Sequence, residues 1–179
     1  MNKIILIILV VLAAGLAVGY YFGYDHGWER AVDTATSSSP AETSDEEVDY
    51  HASFLIFTNG TKRVFTNPMY HNLSEDVYIE APNPAIVHVT KAGVTWGDFF
   101  ATLPMELNEQ CLLTGTGEKF CSAGSRTLKF YRNGQLMQDL LNQAIRDQDS
   151  ILISFGLDDQ KPIDLQLQQA VQILIDEGI

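Results

Sequence analysis

Arg146-Asp147-Gln148-Asp149-Ser150-Ile151-Leu152-Ile153-Ser154-Phe155-Gly156 is the stretch that decides the fold. Asp147 and Asp149 shape a turn, and the strand from Ser150 to Phe155 that follows has an apolar run interrupted only by Ser154. A strand without polar alternation is covered on both faces, so this one is central, and Gly156 ends it. Its neighbours have to come from upstream.

Immediately before it, Leu136 to Ile145 has the pattern of a short helix. Leu128 to Arg132 reads as a strand closed by an Asn133-Gly134 turn. Further back, Thr95-Trp96-Gly97-Asp98 has the S/T-x-x-D form of a helix start, with Thr95 as cap and Asp98 at the positive end of the helix. Phe99, Phe100 and Leu103 form the apolar face of that helix, and Pro104 stops it. Val77 to Ile79 and Ile86 to Thr90 are two short strands around Pro82 and Pro84. At the start of this region Ala52 to Thr58 is strand-like, Asn59-Gly60 is a two-residue hairpin signal, and Thr61 to Thr66 returns.

The order of hairpin, helix, hairpin or strand, short helix and central strand resembles the β-grasp fold of ubiquitin-like proteins, sulfur carriers and soluble-ligand-binding modules. Val94-Thr95-Trp96-Gly97-Asp98-Phe99-Phe100 is similar to its strand-to-helix junction, and Arg146 to Ile153 to its acidic turn and last strand. A closer likeness is to uncharacterised exported, membrane-anchored proteins of archaea and uncultivated bacteria. His51, Asn59-Gly60, Val87-His88, Cys111, Cys121, Asn133-Gly134 and Leu152-Ile153-Ser154-Phe155-Gly156 carry it. This chain has Thr90 where the second histidine of an Ile-His-x-His strand falls, which weakens an inherited metal role. The resemblance implies an α+β, β-grasp-like mixed sheet with one main helix, and no chemistry follows from that fold alone. A sulfur-carrier role needs a free terminal Gly-Gly, and the chain continues past Gly156 to Ile179.

The chain's two cysteines, Cys111 and Cys121, flank a hairpin about Gly115-Thr116-Gly117. That turn places Cys111 opposite Cys121, Leu112 opposite Phe120 and Leu113 opposite Lys119, within disulfide reach. Thiol–disulfide exchange is the functional alternative to a structural bond. Redox pairs commonly use Cys-x-x-Cys at a helix N-terminus, and this spacing supplies neither feature.

Four histidines are present, His26, His51, His71 and His88. His26 is an interfacial residue. His51, His71 and His88 are candidate ligands for copper or zinc, with Met69 or Glu80 nearby, although no close His-x-His spacing supports them. No Ser/His/Asp order, phosphate loop or carboxylate pair stands out as catalytic.

Outside the domain, Ile4 to Phe22 is free of charge. Its 19 residues make a helix of about 28 Å, matching the hydrocarbon thickness of a bilayer. Lys3 and the α-amino group lie before it and Asp25, Glu29 and Arg30 after it, a bias that keeps the N-terminus cytoplasmic and sends the rest across. Tyr20, Tyr21 and Tyr24 sit where an interfacial belt would be. A cleaved signal peptide, with Ala17-Val18-Gly19 as its site, is the competing reading; export and an oxidising compartment follow from either.

The net charge of −12 argues against nucleic acid. Six acids and no base fall between Ala31 and Asp49, so much of the acidity belongs to a tether. Few large apolar residues occur in that tether, which leaves it disordered.

The expected organisation is a signal anchor over 1–24, a juxtamembrane segment and acidic linker over 25–49, an extracytoplasmic domain over 50–156 and an amphipathic helix over 157–179. Ile163, Leu167, Ala170, Val171, Leu174 and Ile175 form the apolar side of that helix, which docks on the domain or on a partner. The expected function is a non-enzymatic, membrane-tethered module binding an envelope protein or glycan, with metal binding and thiol exchange as alternatives.

Overall fold

The computed structural model describes residues 46–157 and 160–178. The expected membrane segment, 1–24, and the expected linker as far as residue 45 lie outside the described residues. Among the described residues, no helix is long and apolar enough to cross a membrane.

The described residues form an α+β architecture, with a mixed sheet, a small second sheet and two α-helices among them. The strands are β1 (Glu47–Thr58), β2 (Thr61–Lys62), β3 (Val77–Ile79), β4 (Ile86–Lys91), β5 (Glu106–Leu107), β6 (Cys111–Leu113), β7 (Lys119–Cys121), β8 (Arg126–Arg132), β9 (Gln135–Met137) and β10 (Ser150–Leu157). The helices are α1 (Trp96–Thr102) and α2 (Gln160–Glu177). The main sheet runs β3-β4-β1-β10-β8-β9, with β2 paired to β1, and the second runs β5-β6-β7.

The decisive stretch is central, as its composition demands. β10 lies parallel to β1, with Ser53 opposite Ser150 through Thr58 opposite Phe155, and antiparallel to β8. Both faces are covered. Ala52, Phe54 and Ile56 of β1 and Ile151, Ile153 and Phe155 of β10 pack with Trp96, Phe99 and Phe100 of α1 in the larger core. Leu55, Phe57 and Leu152 point the other way and pack against Ile163 and Ala170 of α2. The Ser53 hydroxyl, wholly buried, donates to the Ala170 carbonyl at 3.1 Å, a close approach that the small side chains permit.

The acidic turn before β10 is fastened from several sides. Asp149, 2% exposed, accepts from Arg132 Nε at 2.9 Å, from Asn133 Nδ2 at 3.1 Å and from the Arg146 amide at 2.9 Å. Arg132 Nη2 also lies 2.6 Å from its other oxygen. Asp147 accepts from the His51 amide at 3.0 Å, and the Gln148 amide donates to the His51 carbonyl at 2.8 Å. The turn thus fixes the backbone of β1 at His51.

Local signals account for most elements. Thr95 and Asp98 form a capping box at the start of α1. Asn59-Gly60 and Asn133-Gly134 each take the paired positive φ values of a tight hairpin turn, 51° and 80° in the first and 51° and 81° in the second. Cys111, Leu112 and Leu113 stand opposite Cys121, Phe120 and Lys119, and the two sulfur atoms are at disulfide distance.

Three elements differ from the sequence reading. Leu136 to Ile145 is not helical: Gln135–Met137 forms β9 against β8, and only Leu140–Asn142 makes a short 3-10 turn. The tight Asn133-Gly134 turn returns the chain directly onto β8, and strand pairing wins over helical periodicity. The return arm after Asn59-Gly60 is paired as strand only over Thr61–Lys62. On α2, Val171 and Ile175 are 44% and 63% exposed, and the buried stripe is Ile163, Gln166, Ala170 and Leu174. In addition, β1 begins at Glu47, so Asp49 belongs to the sheet and not to the preceding segment.

Candidate metal centre

His51 lies on β1 and His88 on β4, directly opposite one another. Alternation along β1 sends Ala52, Phe54 and Ile56 into the larger core, so Asp49, His51 and Ser53 share the other face. The same alternation on β4, with Val87 and Val89 in the core, puts His88 on that face too. The two imidazoles stack with ring centroids 4.6 Å apart and planes within 19°.

A bulge brings in the third group. Between Glu47 opposite Lys91 and Tyr50 opposite Val89, β1 advances three residues while β4 advances two. Such an extra residue twists the strand and re-aims a side chain. Asp49 Oδ1 lies 2.8 Å from His88 Nε2 and 4.0 Å from His51 Nδ1. One donor atom from each of Asp49, His51 and His88 falls within 4.8 Å of the others. Ligand bonds of about 2.1 Å hold tetrahedral donors about 3.4 Å apart, so modest side-chain torsion closes the gap.

The other edge of His88 is held as well. Its Nδ1 lies 2.8 Å from the Tyr78 hydroxyl on β3, and Glu80 Oε2 is 3.9 Å away. With a neutral imidazole and an ionised Asp49, Nε2–H donates to the carboxylate and the Tyr78 hydroxyl donates to Nδ1. A metal held at Nε2 would select the other neutral tautomer, with the ring's single proton on Nδ1, where it would donate to the Tyr78 hydroxyl, the outer contact that orients a ligating histidine. Beside the pair opens a cleft of about 360 Å³, walled by Glu80, the cis Ala81–Pro82 step, Asn83 and Ile86.

The three histidines singled out from the sequence do not share one site. His51 and His88 meet. His71 follows the 3-10 turn Pro68–Tyr70, and its Nε2 lies 2.8 Å from the Phe65 carbonyl, outside the donor cluster. Met69 is 47% exposed beside it. Asp49 and Tyr78 were missed. For Asp49 the available signal was the two-residue spacing Asp49-x-His51, which shares a face only once the strand is known to begin early.

Cys111 and Cys121 sit opposite one another on adjacent strands of the second sheet. Nearby, Arg63 Nη1 donates to Glu118 Oε2 at 2.7 Å, and that hydrogen bond holds the Glu118 carboxyl below its ordinary value.

No protein-family model, no curated protein and no solved structure matches this chain.

Proposed function

We propose that this chain is a membrane-tethered, extracytoplasmic, β-grasp-like module that binds copper or zinc through Asp49, His51 and His88. One observation carries the metal reading: two stacked imidazoles and a carboxylate on neighbouring strands, with their donor atoms within 4.8 Å. Imidazole nitrogen and carboxylate oxygen suit both metals, and the usual affinity order puts copper(II) above zinc. The β-grasp likeness is supported by the first and last strands lying parallel at the sheet centre, with α1 packed on one face. The tether and its membrane anchor rest on the sequence from Ile4 to Glu46. In that setting the module presents a bound metal, or the cleft beside it, to an envelope protein or glycan. Thiol exchange has less support, because the cysteines lie in a hairpin.

Full-length protein purified in detergent and stripped with a chelator should take up one equivalent of copper(II) or zinc in calorimetry. His88→Ala should abolish uptake, and His71→Ala should leave it unchanged. No uptake by the parent, or uptake undiminished in His88→Ala, would overturn the metal reading. A reporter fused after Arg30 tests the topology independently, and a cytosolic signal would remove the extracytoplasmic assignment.

A further inference from the structure

Asn59-Gly60-Thr61 and Asn72-Leu73-Ser74 both have the Asn-x-Ser/Thr form of an N-glycosylation acceptor. A carboxamide nitrogen is a poor nucleophile, because its lone pair is delocalised into the C=O. The acceptor therefore needs a hydroxyl two residues on to help hold it in a transferring site, and a backbone free to bend there.

The structure separates the two tripeptides. Asn59 opens a two-residue turn whose arms pair directly, Thr58 with Thr61 and Phe57 with Lys62. Its amide also donates to the Phe155 carbonyl of β10 at 2.7 Å. The hydroxyl residue of this acceptor thus belongs to a ladder, and its turn is fastened to the sheet.

Asn72 stands in the loop between the 3-10 turn Pro68–Tyr70 and β3. It is exposed, and its carboxamide has no partner among the described residues. Leu73 beside it is 43% exposed. The Asn72 amide donates to the Ile79 carbonyl at 3.1 Å, but no backbone-to-backbone hydrogen bond holds Leu73 or Ser74 among the described residues. The Ser74 hydroxyl accepts from the Asp76 amide at 3.2 Å on the solvent side, which leaves its own proton to donate. Asn72 has a φ of 53°, in the left-handed region that glycine and asparagine tolerate. That backbone accounts for an asparagine at 72; it does not call for a hydroxyl at 74.

We propose that Asn72 is an N-glycosylation site, with a sugar on its Nδ2, and that Asn59 stays bare. The donor is a saccharide joined through its anomeric carbon to a lipid phosphate or diphosphate on the outer side of the membrane. The proposal therefore rests on the extracytoplasmic reading above. Nδ2 attacks the anomeric carbon, and an N–C bond forms as the C–O bond to phosphate breaks. The phosphate leaves with that electron pair, and Nδ2 yields one proton to a base of the membrane transferase. Nothing is oxidised or reduced.

Full-length protein isolated from its native membranes and cleaved with trypsin tests the site, because the two acceptors fall on separate peptides, 31–62 and 64–91. Peptide 64–91 should carry a saccharide mass that electron-transfer fragmentation places on Asn72, and Asn59 in 31–62 should carry none. Variants are produced in the same cells. Asn72→Gly, which keeps the positive φ without steric strain, and Ser74→Ala should each remove the sugar, whereas Ser74→Thr should retain it. A bare Asn72 in the parent, a sugar persisting on Asn72 in Ser74→Ala, or a sugar on Asn59 in place of Asn72 would overturn the proposal. The reporter fused after Arg30 keeps the two readings apart. With an external reporter a bare Asn72 overturns this proposal alone, and a cytosolic reporter removes both.

Discussion

His88 is held from both edges of its ring, by Asp49 at Nε2 and by Tyr78 at Nδ1, each at 2.8 Å. Tyr78→Phe keeps the ring's packing but removes the outer hydrogen bond, so zinc affinity should fall about tenfold with little change in urea stability. A drop in stability without a drop in affinity would show that Tyr78 serves packing alone. Asp149 is the corresponding residue for the fold. Its carboxylate, with side chain 3% exposed, is paired with Arg132 at 11%. Asp149→Ala leaves that guanidinium unpaired and should cost about 3–5 kcal/mol in urea unfolding. Residues of both kinds are only partly legible in sequence. Asp149 announced itself through its turn. Asp49 was hidden in a run of acids, where nothing distinguishes a ligand from a solvated tether until the strand's first residue is known.

At the scale of elements, local chemistry was readable where it acts within a few residues. The Thr95–Asp98 capping box and the Asn-Gly turns are contained in four residues or fewer, and the structure has them as read. Thr95→Ala should cost about 1 kcal/mol, measured by chemical denaturation, because α1 has only seven residues to absorb the loss. The element from Leu136 was misread because its fate is set by β8 across the turn, not by its own periodicity. The buried face of α2 was misjudged for a related reason. Val171 and Ile175 lie about 80° and 120° around the helix from Ile163 at 100° per residue. The contact of Ala170 with Ser53 fixes the rotation that leaves them outside. Between elements, Arg63 ties the arm after β2 to the disulfide hairpin through Glu118. With the Glu118 carboxyl held below its ordinary 4.5, the pair's stabilisation is complete above that pH and is lost as pH falls through the lowered value. The difference in urea midpoint between the parent and Glu118→Gln should therefore be present at neutral pH and vanish in acid.

At the scale of the molecule, stability depends on covering both faces of one sheet. A chain ending at Leu157 lacks α2 and uncovers Leu55, Phe57 and Leu152. Such a chain should bind a hydrophobic dye and elute as aggregates in size exclusion, whereas a monodisperse, dye-silent product would show that α2 is dispensable. The cysteine pair acts at the same scale. Closing the roughly 11-residue loop that runs from Cys111 through Cys121 should contribute about 3 kcal/mol in the chain-entropy treatment, measured as the loss on Cys111→Ser with Cys121→Ser.

The pairing of β10 between β1 and β8 also sets a timetable. A ribosome delivers β1 more than ninety residues before the strand that must lie beside it. Until Leu157 has emerged, the nascent chain can hold only two separate half-sheets with a slot between them. Hairpins such as the cysteine loop can close early, but the whole stays open along its midline until its last strand is threaded in. Any machinery that handles this polypeptide during its synthesis meets it in that unclosed form.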